Sequence, residues 1–340
     1  MTQKEKILVG CVYSNFQLTN YIAYMLKAES KIKFDKKVLY VKYYWGNDSL
    51  NEKYLRTLDA LNVEYVITTN KFSLENYCSK NACNGDEIIY VGNNVDVFSC
   101  SYMLFRKKRY SVSYILIDDG VGSYSNFLHL YRVSLNERNA LKMLVLFPLN
   151  YFAKTVVEKL IKAQRFGMLD VVTLDLNNEY IDYYLETLSL TAEEKKMTLD
   201  KNLLIFCTQP YIDLGGMTET EYSFVLNEVN KYSELNELDM LIIKHPADKK
   251  FDYSYYRVSE YSGSFEEFAY LYKGEINEVW SINSTCLITA NLLFNIKSYS
   301  VNCSFSRKQK KTFSNKMTKL FEKFTSAVDV ESIKYLKEQR

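Results

Sequence analysis

The chain has 340 residues, of which 47% are apolar, and 43 Lys and Arg residues nearly balance 41 Asp and Glu residues. A net charge of +2 argues against a dedicated nucleic-acid-binding protein, which normally carries a strong basic excess. Three prolines and 11 glycines exclude collagen-like and linker-dominated chains, and the length is sufficient for two domains.

The first third of the chain alternates short β-branched runs with amphipathic helical patterns. We predict strands at 7–12, 37–44, 64–68, 87–91 and 114–117, and helices at 17–28 and 49–61. This alternation is typical of a parallel sheet covered by helices on both faces. From residue 118 to about 195, the pattern indicates mainly helices and loops.

A polar segment at 191–202 interrupts the pattern, and the alternation then starts again. We predict strands at 203–207, 240–244, 278–282 and 297–301, and helices at 219–232, 265–272 and 285–294. The sequence therefore predicts an α/β protein of two Rossmann-like domains, 1–195 and 196–340, whose parallel sheets face a central cleft. Because ligands of such sheets bind beyond the carboxyl ends of the strands, the residues that follow each strand are the candidate site residues.

An acidic pair and a glycine, Asp118-Asp119-Gly120, follow the predicted strand 114–117. Two adjacent carboxylates raise the pKa of one of them and favour a proton acceptor, and glycine permits a sharp turn. The alternative is an ordinary Asp-Gly surface turn.

Two further groups follow strands of the second half. His245 and Pro246 end the strand 240–244, where a histidine can donate a hydrogen bond or a positive charge to a phosphate. Ser284 and Thr285 open a helix, where a hydroxyl caps the helix and the free backbone N–H groups can bind an anion. The alternatives are a structural histidine and plain helix capping.

The usual nucleotide-binding and nucleophile motifs are absent from the sequence. We find no Gly-x-Gly-x-x-Gly, no phosphate loop and no Gly-x-Ser-x-Gly. Asp-x-Asp is also missing, which disfavours a metal-dependent sugar transferase and leads us to expect no metal site.

The order of these motifs resembles that in bacterial sialyltransferases of the GT-B type, which decorate lipooligosaccharide and capsule. Those enzymes carry an acidic pair with glycine, then His-Pro, then a Ser/Thr pair. Two further segments are similar to strand ends of that family, Thr208-Gln209-Pro210 and Asn15-Phe16-Gln17-Leu18, and Tyr90-Val-Gly-Asn93 resembles another. The family's proline before a nucleotide-binding glutamate is missing near Glu266 and Glu267.

The resemblance implies an inverting, metal-independent transfer of sialic acid from CMP-sialic acid to a hydroxyl of a galactose-terminated glycan, without a cofactor. It implies that Asp118 is the catalytic base, that Asp119 and Gly120 shape the site, and that His245 with Ser284 and Thr285 holds the phosphate. It also assigns substrate binding to Asn15, Gln17, Gln209 and Glu267.

Two alternatives remain open at this point. One is a hexosyltransferase of the same family with a UDP-sugar donor, and the other is a non-catalytic scaffold of polysaccharide assembly. The resemblance also leaves a homodimer open.

A basic amphipathic pattern covers 306–324, with apolar residues at helical spacing. Such a helix either packs its apolar face on the protein or binds anionic lipid. Because the N-terminal apolar run is too short for a signal peptide, we expect a cytoplasmic protein, with contact to the inner face of the membrane through 306–324 as the alternative.

Overall fold

The computed structural model describes residues 4–42, 52–68, 70, 72–94, 111–137, 140–192, 199 and 202–333. The chain divides into two compact units. The first comprises Met1–Ser123 with Val145–Thr191, and the second comprises Tyr124–Leu144 with Ala192–Arg340.

A parallel sheet forms the centre of the first unit. Its strands are β1 Lys6–Val12, β2 Lys36–Val41, β3 Glu64–Ile67, β4 Glu87–Gly92, β5 Ser111–Ile117 and β6 Gln164–Phe166. They are arranged in the order β3-β2-β1-β4-β5-β6, and every neighbouring pair is parallel. This is the doubly wound order, in which ligands bind at the carboxyl edge near the first and fourth strands.

Helices of the first unit pack against this sheet. They are α1 Asn15–Glu29, α2 Glu52–Ala60, α3 Leu74–Asn81 and α6 Asn178–Thr191, and the long α5 Ala140–Leu160 also contributes residues to this unit. Ser14 caps α1, because its hydroxyl accepts a hydrogen bond from the backbone N–H of Gln17. Gly10 in β1 lies under the ring of Tyr21, where a Cβ atom would approach the ring to 2.3 Å.

A second parallel sheet forms the centre of the second unit. Its strands are β7 Leu203–Cys207, β8 Asp239–Ile243, β9 Ile276–Ser281, β10 Lys297–Asn302 and β11 Ser326–Asp329, in the order β11-β10-β9-β7-β8. Its helices are α4 Phe127–Glu137, α7 Glu219–Leu235, α8 Phe265–Tyr272, α9 Thr285–Phe294, α10 Ser304–Lys310 and α11 Asn315–Phe324. Trp280 and Phe206 are fully enclosed in the core of this unit.

The segment Tyr124–Leu144 belongs to the second unit, whereas the prediction placed it in a domain spanning 1–195. Its hydrogen bonds explain the difference. The hydroxyl of Ser314 donates to the carbonyl oxygen of Tyr124, and Nδ1 of His129 lies 3.0 Å from Oγ1 of Thr312. Such contacts join residues that lie far apart in the chain, so a local sequence pattern cannot predict them.

Most predicted elements agree with the observed ones to within a few residues. The predicted strand end at 43–44, the helix start at 49–51 and most of the polar segment 191–202 lie outside the described residues. Sequence reasoning missed α3, β6 and β11, which are short and mainly polar.

The basic segment 306–324 forms parts of two helices, α10 and α11, rather than one continuous helix. The apolar residues of α11 are buried, namely Met317, Leu320, Phe321 and Phe324. Phe313, which precedes α11, stacks on Phe321 at 5.4 Å between ring centroids. The apolar face is therefore occupied by packing within the second unit, and insertion of this face into lipid, the alternative considered above, is not supported. Within the described part of the chain, no helix combines the length and apolarity that crossing a bilayer requires.

Candidate active site

The two carboxylates that follow β5 lie in different environments. The side chain of Asp118 is buried, with 2% exposure, and its Oδ2 accepts a hydrogen bond from the backbone N–H of Met168 at 2.8 Å. Asp119 is exposed. Successive residues of an extended segment point to opposite sides, so the pair divides into one enclosed carboxylate and one accessible carboxylate.

Two amide side chains hold the carboxylate of Asp119. Nε2 of Gln17, after β1, donates to Oδ1 at 2.6 Å, and Nδ2 of Asn93, after β4, donates to Oδ2 at 3.2 Å. Gly120 follows with φ of +70°, a conformation that favours glycine, and the backbone N–H of Asp119 donates to Oγ of Ser123 at 2.6 Å. The carboxyl ends of β1, β4 and β5 thus converge on one oriented and accessible carboxylate.

Two cationic side chains belong to the same neighbourhood. The guanidinium of Arg165, in β6, donates to the carbonyl oxygen of Ser123 at 2.8 Å. Burial lowers the pKa of Lys154, in α5, and the charges of Glu158, 3.7 Å away, and of Asp119 oppose that shift. The segment Asp118–Gly120 is therefore flanked by positive charge.

Gly167 leaves room for the buried carboxylate of Asp118. A Cβ atom at this position would lie 2.4 Å from Oδ1 of Asp118. We expect Gly167→Ala to lower the free energy of unfolding by about 1–3 kcal/mol, because the carboxylate must leave its hydrogen bond with Met168 or the backbone must shift. Urea unfolding measures the effect. Gly274→Ala is the matched control, since no atom lies within 4 Å of its added Cβ, and an equal loss in both variants would contradict the prediction.

His245 follows β8 and is held by two backbone hydrogen bonds. Its own N–H donates to Oγ1 of the buried Thr208 at 2.9 Å, and its Nδ1 accepts from the backbone N–H of Ala247 at 3.1 Å. Because Nδ1 is an acceptor, the neutral imidazole carries its proton on Nε2. The ring is thereby oriented as a hydrogen-bond donor through Nε2.

Burial lowers the pKa of His245 from its ordinary value near 6.5 to about 4. The sequence-based interpretation allowed an imidazolium that supplies positive charge. At neutral pH, the desolvated ring is instead neutral, since burial disfavours the charged form. His245 thus provides an oriented N–H donor rather than a positive charge.

This lowered pKa predicts a loss of stability in acid. Between pH 6.5 and 4 the unfolded chain binds a proton at His245 that the folded chain does not, so unfolding becomes more favourable as the pH falls. The full effect is up to about 3 kcal/mol. Chemical unfolding of the wild type and of His245→Asn at several pH values isolates this contribution, because the other titrating groups are common to both proteins. Equal slopes in the two proteins between pH 6.5 and 4 would contradict the assigned shift.

A second polar group of this unit lies at the start of α9. Nε2 of Gln209, directly after Thr208, donates to Oγ of Ser284 at 3.2 Å. Ser284 is buried and caps α9 by accepting from the backbone N–H of Cys286, while Thr285, the first residue of the helix, is partly exposed. The adjacent residues Thr208 and Gln209 therefore contact the loop that carries His245 and the start of α9, respectively.

Glu266 and Glu267 have structural contacts that account for their burial. Glu267 is completely buried and forms a capping box with Ser264 at the start of α8. Oε1 of Glu266 accepts from Oγ1 of Thr289 at 2.8 Å, and burial raises the pKa of Glu266. The structure thus gives Glu267 a capping role, and its assignment to nucleotide binding stays a prediction.

The structure joins the predicted site residues into two groups, one in each unit. Gln17, Asp119 and Gly120 belong to the first, and Gln209, His245, Ser284 and Thr285 to the second. Asn15 is the partly buried first residue of α1, two positions before Gln17.

The sequence analysis singled out the strand ends that contain Asn93 and Thr208 but gave neither residue a role in the site. The structure adds these roles, because Asn93 contacts Asp119 and Thr208 contacts the backbone of His245. Among the described residues, no group of three or more His, Cys, Asp or Glu side chains could hold a metal ion.

Comparison with known proteins identifies the fold. No protein-family model matches the sequence, and no curated protein is significantly similar to it. Among solved structures, the chain is similar to a UDP-GlcNAc 2-epimerase from Methanocaldococcus jannaschii, with a TM-score of 0.55, 12% identity and coverage of 99% of this chain and 92% of the other. It is also similar to an α/β-galactoside α-2,3-sialyltransferase from Photobacterium phosphoreum, with a TM-score of 0.50, 13% identity and coverage of 98% and 100%.

A UDP-N-acetylglucosamine 2-epimerase described as putative, from Listeria monocytogenes, gives a TM-score of 0.50 at 10% identity and covers 99% of this chain and 89% of its own. Identities this low establish the fold alone. The protein has the GT-B fold, with two parallel α/β sheets, and the predicted fold class is confirmed.

Proposed function

We propose that the protein is an inverting glycosyltransferase that moves sialic acid from CMP-sialic acid to a hydroxyl of a glycan. The observation that carries the proposal is the exposed carboxylate of Asp119, which Gln17 and Asn93 hold at the carboxyl edge of the first sheet. A general base must be accessible and must be oriented by its neighbours. The order of the sequence motifs supports the choice of donor.

In this proposal, the base is Asp119 rather than Asp118. A base must reach the hydroxyl proton that it removes, and the buried carboxylate of Asp118 is engaged with the backbone of Met168. Asp118 instead holds the segment 167–168 against the end of β5. Asp119 therefore acts as the base in this proposal, and Asp118 has a structural role.

The reaction is a single displacement. The acceptor oxygen bonds to the anomeric carbon as its proton passes to Asp119, and the bond between that carbon and the phosphate oxygen breaks. CMP leaves with the electron pair of that bond. The Nε2–H of His245, the hydroxyl of Thr285 and the start of α9 stabilise the phosphate that departs.

Nucleotide binding and product analysis test the proposal. Thermal unfolding with CMP and with UDP compares the two nucleotides, and incubation with CMP-sialic acid and a galactoside panel is followed by mass spectrometry. We expect CMP to raise Tm more than UDP does, and a product heavier by one sialic acid residue. Stabilisation by UDP alone, together with transfer of a hexose, would mean that the donor is a UDP-sugar. Failure to bind either nucleotide would favour a scaffold.

A further inference from the structure

A buried carboxylate lies at the end of the turn that carries His245. Asp248 follows His245 by three residues and has 1% exposure. Its backbone N–H donates to the carbonyl oxygen of His245 at 2.9 Å, which closes the turn. Asp248 belongs to none of the sequence motifs considered above, and the proposed reaction does not use its carboxylate.

Three hydroxyl side chains share a hydrogen-bond network with this carboxylate, and we call the four residues Thr208, Tyr222, Asp248 and Tyr253 the Asp248 cluster. Oη of Tyr253 donates to Oδ2 of Asp248 at 2.5 Å and lies 3.0 Å from Oη of Tyr222. Because the single proton of the Tyr253 hydroxyl goes to the carboxylate, the hydroxyl of Tyr222 donates to Tyr253. All four side chains of the cluster are buried.

Thr208 connects the Asp248 cluster to His245. Its Oγ1 accepts a hydrogen bond from the backbone N–H of His245 at 2.9 Å, so its own proton is directed to another acceptor. Burial raises the pKa of Asp248, and hydrogen bonds from Tyr253 and Thr208 oppose this rise, so the carboxylate is an acceptor for Thr208. The carboxylate of Asp248 therefore reaches the backbone N–H of His245 through Thr208, and the backbone of Asp248 reaches its carbonyl oxygen directly.

The orientation of the His245 ring depends on the same turn. Nδ1 of His245 accepts from the backbone N–H of Ala247, which lies between His245 and Asp248. Hydrogen bonds to a charged group are shorter and stronger than neutral ones, and in a buried network they hold the groups that they join. If the turn 245–248 shifted, the ring would lose its contact with Ala247 and its Nε2–H would change direction.

We propose that Asp248 is a positioning residue, whose carboxylate holds the turn 245–248 so that the Nε2–H of His245 points to the phosphate of the donor. Asp248 is buried and acts through Thr208 and the turn, without contact to the substrate. This inference rests on the proposed function, in which His245 stabilises the phosphate that departs.

The tautomer of the His245 ring tests this role without any substrate. The chain contains two histidines, so NMR spectra of protein labelled at the histidine nitrogens resolve both rings, and His129 is the internal control. At pH 7 we expect the wild-type ring of His245 to carry its proton on Nε2. Asp248→Ala and Tyr253→Phe should populate both neutral tautomers of His245 and leave the signals of His129 unchanged. Tyr253→Phe keeps the ring and reports on the cluster if Asp248→Ala folds poorly.

Transfer rates supply the second measurement. Both variants should lower kcat by about 10–10²-fold, the cost of misplacing a catalytic group, and leave KM for the donor within about two-fold. In the His245→Asn background, Asp248→Ala should lower kcat by less than about two-fold further, because the N–H donor that it positions is already absent. Tyr256→Phe is the matched control for Tyr253→Phe, since the hydroxyl of Tyr256 donates to Asn227 at 2.8 Å and not to Asp248. We expect this control to transfer at the wild-type rate.

The two measurements separate this inference from the proposed function. A wild-type tautomer of His245 in both variants, an equal rate loss in Tyr253→Phe and Tyr256→Phe, or a full further loss in the His245→Asn background would overturn the proposal. If the tautomers change and no donor supports transfer, Asp248 positions His245 and the proposed function fails. If transfer is found and the tautomers do not change, the proposed function stands and the role of Asp248 fails.

Discussion

Asp119→Asn is expected to lower the rate of glycosyl transfer by about 10²–10⁴-fold, the range that a general base contributes. The amide oxygen can still accept from Gln17 or Asn93, so the loop keeps its shape, but the amide cannot take a proton from the acceptor. Nucleotide affinity should stay within two-fold of the wild type. Initial rates with CMP-sialic acid, together with calorimetric titration with CMP, measure both quantities.

Asp118→Asn is the matched comparison, because it changes the neighbouring carboxylate in the same way. Its side chain lies against Gly167 and accepts from Met168, so we expect a loss of stability that exceeds that of Asp119→Asn. The folded fraction should retain most of its transfer rate. If the Asp118→Asn variant folds but has no activity, and the Asp119→Asn variant is active, then Asp118 is the base.

The β-α alternation made most of both sheets predictable from the sequence. Strands such as β1 and β7 are continuous apolar runs, because parallel strands are buried on both faces. The placement of candidate residues after strands also followed from this rule. This rule selected Gln17, Asp119 and His245, and the structure places all three at the carboxyl ends of strands.

The choice between Asp118 and Asp119 could not be made from the sequence. It depends on which side of β5 each carboxylate faces, and on Gly167 and Met168, which lie about fifty residues further along the chain. The charge of His245 is a similar case. A sequence gives the ordinary pKa of an imidazole, whereas its pKa in the folded protein follows from the burial of the ring.

Glu267 differs from these cases, because the sequence did contain the relevant signal. Ser264 and Glu267 have the spacing of a capping box directly before an apolar run, which predicts a helix start. The nucleotide-binding role, in contrast, rests on the family resemblance alone.

His245→Asn is expected to lower the transfer rate by about 10²–10³-fold, the cost of removing one donor to a charge that develops in the transition state. The asparagine oxygen can occupy the position of Nδ1 and accept from the N–H of Ala247, so the turn is retained. What the variant lacks is the Nε2–H donor.

His245→Gln gives the complementary comparison, since its amide nitrogen reaches about as far as Nε2 and can donate to a phosphate. We expect its transfer rate to be at least ten-fold higher than that of His245→Asn, although it loses the contact with Ala247. Rates for both variants, measured at pH 7 under single-turnover conditions, isolate the chemical step. Equal rates in the two variants would mean that His245 acts through the shape of its turn and that its Nε2–H does not contact the departing phosphate.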